Sequence, residues 1–183
     1  MNIPLPPQSH VDERCLEILS IHSNCVYRKA ERLARRSKYA DCIDYRFLFE
    51  AARLHDYGII GVDAPGIYCF GHEPYIRHGI LGAEHLRGID PVRYARHARV
   101  CEVHIGSGLT ASEIASQNLP LPHVDFLPET LEEKLITYAD NFYSKNPEHL
   151  QEEKTFDRIA ASIEKHGNGA LERLLGLRAI FGV

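Results

Sequence analysis

Apolar residues recur at three- and four-residue spacing through almost the whole chain, while period-2 alternation of β-branched residues is nearly absent. That pattern constrains the chain to helices packed on helices, an all-α fold. The spacing predicts a first helix over 11–20 and a second, or a bent continuation, over 22–38. Asp44 opens another helix, with Phe47, Leu48, Ala51 and Leu54 on one side, which Gly58 ends. Residues 58–74, rich in Gly, Pro and Asp, read as a long loop. Helical spacing resumes over 75–86, and Pro91 is expected at the first position of a helix reaching His104. Thr110-Ala111-Ser112-Glu113 has the form of a capping box and starts a short helix. Further helices are expected over 128–144, 148–165 and 169–181.

With 183 residues, 44% hydrophobic and 25% charged, the chain has the make-up of a single soluble domain over 1–183. Every apolar run is interrupted within a few residues, so no segment is expected in a membrane. The proline-rich start, Met1 to Pro7, lacks the basic and apolar regions of a secretory signal, and a cytoplasmic chain is expected. Cys15, Cys25, Cys42, Cys69 and Cys101 form no C-x-x-C pair and are odd in number, which reads as reduced thiols. A formal net charge of -4 argues against general nucleic-acid binding through phosphate neutralisation. Arg28, Arg32, Arg35 and Arg36 cluster at helical spacing but read as a solvated face balanced by Glu31. A homo-oligomer is compatible with this composition.

The chemistry is to be sought among the 11 histidines, several of them set in helical patterns beside apolar residues. His55-Asp56 ends an apolar helix, and adjacent helical side chains point about 100° apart, so one ion can be held by both only near a helix end or against a second element. Burying a histidine and a carboxylate without partners costs several kcal/mol, so something must satisfy them. A hydrogen-bonded His-Asp pair does so without metal, and a metal does so as well. His22, His78 and His104, with His97 two turns before His104, fall on inward sides of other helices, and Gly82 leaves room near His78. Asp140 lies opposite the stripe of Leu131, Leu135 and Phe142, but Ile136 and Tyr143 flank it with apolar surface.

The ordered set His22, His55-Asp56, His78, His104, Asp140 resembles the HD superfamily of metal-dependent phosphohydrolases. Residues 102–108 and 128–141 are similar to a small subfamily related to the HD-type dinucleoside tetraphosphate hydrolases. The resemblance runs over about residues 20–145; the helices at about 148–181 carry no motif. It implies an HD-domain helical bundle in which His22, His55, Asp56 and Asp140 hold one divalent transition ion. Asp56 would bridge to a second ion on His78 and His104, the donor set suiting iron, manganese, cobalt or zinc. The chain departs from many such proteins at Ile59, where they carry a phosphate-binding lysine.

That resemblance implies a phosphohydrolase in which a metal-activated water attacks a phosphate ester or anhydride, with His55 and Asp56 as catalytic residues. The partner would be a small phosphorylated substrate, a nucleotide or similar metabolite. His72, Arg77 and Lys134 are candidate substrate-binding residues, and Gly106-Ser107-Gly108 reads either as an anion-binding loop or as a flexible break. The rival expectation is a non-catalytic module that keeps a metal or binds a nucleotide as a sensor. A third, structural zinc in a partner-binding protein, is disfavoured because such sites are cysteine-rich and closed.

Overall fold

The computed structural model describes residues 12–182, so the readings at Met1 to Pro7 and at Val11 fall outside the described residues. The expected pair of N-terminal helices is one continuous helix, α1 (Glu13–Arg36), because no Gly or Pro interrupts 13–36. Asp12 caps it by accepting from the Arg14 amide, and Ser37 closes it through the carbonyls of Leu33 and Ala34. Its inward stripe is Cys15, Ile18, His22, Val26, Ala30 and Leu33, all buried.

Helix α2 (Tyr45–Leu54) has Asp44 as its cap, accepting from the Phe47 amide, but ends three residues earlier than the position of Gly58 suggests. His55 and Asp56 therefore lie in the turn between α2 and a 3-10 segment at Tyr57–Gly61. The expected loop over 58–74 contains that segment and a two-residue antiparallel pair, β1 (Asp63–Ala64) with β2 (Cys69–Phe70), in register Asp63 with Phe70. The chain is thus largely helical rather than purely so.

A 3-10 turn at Tyr75–Arg77 leads into α3 (His78–Ile89). Pro91 does not begin the next helix: residues 91–94 form turns, and α4 runs Ala95–Val103. The capping box at Thr110 and Glu113 is present and starts α5 (Ala111–Ser116). A second capping box, Thr130 with Glu133, starts α6 (Leu131–Asp140). The helix expected over 148–165 is reduced to α7 (Phe156–Ile163) between short 3-10 turns, and α8 (Asn168–Phe181) closes the fold.

The main core joins α1, α2, α6, α7 and α8 through Leu33, Leu48, Leu135, Tyr138, Ile159 and Leu174, all buried. Each such leucine contributes roughly 1.5–3 kcal/mol. A second cluster packs α2 against α3 and α4 through Leu54, Ala83, Leu86 and Cys101. A disulfide between Cys15 on α1 and Cys69 on β2 corrects the expectation of five reduced thiols: residues 54 apart in sequence meet in space. No helix among the described residues is long and apolar enough to cross a membrane.

Candidate metal centre

Six side chains from five parts of the chain, on or beside α1, α2, α3, α4 and α6, converge. His22 comes from mid-α1, His55 and Asp56 from the turn after α2, His78 from the first position of α3, His104 from the end of α4, and Asp140 from the end of α6. His55 and Asp56 can act together because the helix stops between Leu54 and Tyr57, releasing the chain from the 100° divergence. The ligand atoms form two groups, His22-His55-Asp56-Asp140 and Asp56-His78-His104, each with all its atoms within 4.8 Å of one another.

Asp56 divides its two oxygens between the groups. Its Oδ2 lies 3.3 Å from His22 Nε2 and 3.0 Å from His55 Nε2, while its Oδ1 lies 3.5 Å from His78 Nε2 and 3.4 Å from His104 Nε2. Asp140 Oδ1 stands 2.9 Å from His22 Nε2 and 3.5 Å from His55 Nε2. Neither Asp56 oxygen nor His55 Nε2 has a hydrogen-bond partner, although all three are buried. His22 Nε2 and Asp140 Oδ1 are hydrogen-bonded, whereas the Asp56 and His55 contacts are close enough for ion pairing without hydrogen-bond alignment, which suits donor atoms directed at common points between them.

Three of the four outer nitrogens are committed, His22 Nδ1 being buried without a partner. His55 Nδ1 donates to the Ala52 carbonyl at 2.7 Å, His78 Nδ1 to the Tyr75 carbonyl at 2.7 Å and His104 Nδ1 to the Cys101 carbonyl at 2.8 Å. Each is a bond to residue i−3, and a backbone carbonyl only accepts, so each Nδ1 carries a proton; on His78 and His104 this turns the Nε2 lone pair inward, whereas His55 Nε2, between Asp56 and Asp140, keeps its own proton until a cation displaces it. The Nε2 atoms of His78 and His104 nevertheless stand 3.1 Å apart. Two lone pairs at that distance repel unless a cation lies between or beside them. The residues therefore fit a divalent ion better than a metal-free hydrogen-bonded cluster.

Electrostatics separate the two groups. Burial alone would lower the His55 pKa, but the Asp56 and Asp140 carboxylates override it and push it up to about 10. His78 shares only one carboxylate; burial, with His104 beside it, pushes it down to about 3. Burial opposes ionisation of Asp56, yet His55 and Lys145 hold it well below the usual carboxylate range; Asp140 behaves likewise, with Lys145 as its main cation. The Lys145 ammonium lies 2.8 Å from Asp56 Oδ2 and 4.0 Å from Asp140 Oδ1, and these carboxylates raise its pKa despite burial. Sequence reading missed Lys145, which lies past α6 in no motif and at no helical period from Asp140.

The remaining candidates lie elsewhere. Arg77 engages Glu73 at 2.8 Å and the Pro120 carbonyl at 3.0 Å, His72 is exposed, and Lys134 is half-buried on α6; none belongs to either ligand group. His97 packs against Phe47 and Tyr94, 3.4 Å from Glu50, away from the cluster. Gly82 does not make room for the His78 ring; it packs against the Gly58 backbone and Cys101. Residues 106–108 are not a flexible break but are tied to α8. Ser107 donates to the Ala170 carbonyl at 2.7 Å, and Arg173 binds the Ser107 and Gly108 carbonyls.

The fold and site together define a largely helical protein built around a buried histidine–carboxylate centre. No family model matches the chain, and no solved structure does. The chain is 36% identical over 146 residues to the tRNA (cytidine(56)-2'-O)-methyltransferase of Picrophilus torridus, covering 73% of this chain and 36% of that protein. It is 30% identical over 125 residues to the protein of the same name from Thermoplasma volcanium, covering 67% and 31%. It is also 47% identical over 68 residues to an uncharacterised protein of Methanocaldococcus jannaschii, covering 36% and 37%. The chain thus spans about a third of the length of the curated relatives it matches.

These relatives overturn the family expectation. Two of them carry the name of a tRNA methyltransferase, so the assignment to the HD phosphohydrolases is corrected. With it go the hydrolytic function and the phosphohydrolase enzyme class. The partners are corrected too: the named relatives act on tRNA, not on a small phosphorylated metabolite, and nucleic acid is no longer excluded. The physical reason is that an ordered ligand pattern reports where donors converge, and the same donors serve unrelated activities. Net charge, for its part, averages over a surface on which cations can be locally concentrated.

Proposed function

We propose that the chain serves tRNA 2'-O-methylation as a metal-holding helical module that engages tRNA, acting as one domain in the cytoplasm. The geometric observation that carries the metal is the facing pair of Nε2 lone pairs on His78 and His104, 3.1 Å apart with both outer nitrogens committed to carbonyls. The tRNA reading is supported by similarity over 73% of the chain to a protein of that named activity. His22, His55, Asp56 and Asp140 would hold one ion, and Asp56, His78 and His104 a second; iron, manganese, cobalt and zinc suit these donors. A bound divalent ion would supply concentrated positive charge and Lewis acidity at the meeting point of the helices. The chain's own residues prepare that point: the Ala52, Tyr75 and Cys101 carbonyls orient three imidazoles, and Lys145 balances the two carboxylates. One-domain behaviour is supported by the packing of α8 on both α1 and α6.

The test is metal analysis of chain purified without chelator, alongside gel-shift titration with transcribed tRNA. Roughly one to two transition ions per chain are expected. Asp56→Asn, which alters the carboxylate shared by both groups, should abolish metal, whereas His104→Ala should leave about half. A metal-free wild type refutes the centre; a metal-loaded chain with no affinity for tRNA refutes the tRNA role.

A further inference from the structure

We infer that the outer face of α1 is an RNA-backbone docking surface, with Arg28 and Arg36 as its free phosphate contacts. The inference rests on the tRNA reading and adds the surface to it. Arg28, Arg32 and Arg36 are spaced i, i+4, i+8, so they form a row about 12 Å long on one side of the helix. With Arg35 and Glu31 they line a shallow open depression of about 370 Å³.

Arg28 and Arg36 are exposed and make no ion pair with any described residue. Arg32 pairs with Glu153 at 2.7 Å and Arg35 with Glu31 at 2.8 Å, yet both pairs are solvent-exposed. Such pairs contribute about 0–1 kcal/mol, so a phosphate can displace or share them at little cost. Four guanidiniums against two carboxylates leave the face net positive on a chain whose overall charge is negative.

A second observation points to the same partner. Tyr27 and Phe49 meet edge-to-face beside this row with ring centroids 5.0 Å apart, and Phe49 is 39% exposed. The Arg53 guanidinium lies 5.6 Å from the Phe49 ring and donates to Asn24 on α1, one turn before Arg28. Guanidiniums beside an exposed Phe49 ring and a half-buried Tyr27 ring offer what an unpaired nucleotide strand requires: charge for its backbone and an aromatic surface for its bases. Arginine also matches phosphate oxygens through paired donors, as lysine does not.

The experiment measures binding of transcribed tRNA across a salt series for wild type, Arg28→Ala/Arg36→Ala and Arg28→Lys/Arg36→Lys, with circular dichroism and thermal midpoint as folding controls. The alanine pair should keep the wild-type spectrum and midpoint, bind about tenfold or more weakly at low salt, and lose about two from the slope of log K against log salt. The lysine pair should recover the slope while regaining only part of the affinity. Wild type that binds tRNA with the alanine pair unchanged in affinity and slope overturns this inference alone. Wild type that binds no tRNA overturns it together with the proposed function.

Discussion

At Asp56 and Asp140 the decisive property is where each carboxylate oxygen points. Asp56 lies beside His55 and is visible in the sequence as half of a dipeptide, but its division between two groups of imidazoles arises only when α3 and α4 close over it. Asp140 lies off the apolar stripe of α6, yet that side is turned towards α1, where His22 meets it at 2.9 Å. A residue further from the centre supports a prediction about pH. Burial would raise the Glu153 pKa, but Lys29 at 2.7 Å, Arg32 at 2.7 Å and the Tyr143 hydroxyl hold it down to about 2. A carboxyl whose folded pKa lies below its ordinary 4.5 contributes stability that is fully present above pH 4.5 and lost as pH falls towards 2. Glu153→Gln should lower stability at pH 7 by about 1 kcal/mol, the side chain being partly exposed, and flatten its decline over that acid range. Urea denaturation at several pH values would show equal slopes for variant and wild type if the pairing were inconsequential.

Among the elements, the approach of α3 to the 3-10 segment after Asp56 governs the centre. A Cβ on Gly58 would collide with the His78 carbonyl oxygen and the Gly82 amide nitrogen, both backbone atoms that cannot swing away. Gly58→Ala should therefore push the start of α3 outward, at a cost of about 3 kcal/mol, and displace His78 from Asp56. The expected outcome is a lower thermal midpoint with metal retained preferentially in the His22-His55-Asp56-Asp140 group; an unchanged midpoint would show that the segment yields freely. Glycine at this position was legible in the sequence only as the end of a helix. Its closer reason, a backbone-to-backbone contact across 24 residues, lies in the packing of two elements.

For the molecule as a whole, the Cys15–Cys69 disulfide ties the long segment after α2 back to the start of α1. Closing a loop with a sequence separation of 54 removes unfolded-state entropy equivalent to about 4 kcal/mol at 25 °C in the chain-entropy account. Reduction, or Cys15→Ser/Cys69→Ser, should lower the thermal midpoint by several degrees while leaving α6, α7 and α8 packed on α1. Calorimetry with and without reductant gives the comparison, and identical traces would mean that the link carries no stability. The parity and spacing of five cysteines pointed the other way, since a count cannot show which two thiols meet.

The sequence by itself determined what is local. Helical periodicity, the cap at Asp44, the capping box at Thr110 and the set of inward imidazoles all follow from residues within a turn or two of one another. It did not determine where α2 stops relative to Gly58, that Pro91 lies in a turn, or that Lys145 reaches Asp56. Those were decided by the tertiary structure, because each depends on contacts between segments far apart in the chain, whose free energy outweighs local preferences worth about 1 kcal/mol or less. The metal-ligand cluster belongs to both levels: its donors were legible one by one, and only the packed helices brought their lone pairs to the same points.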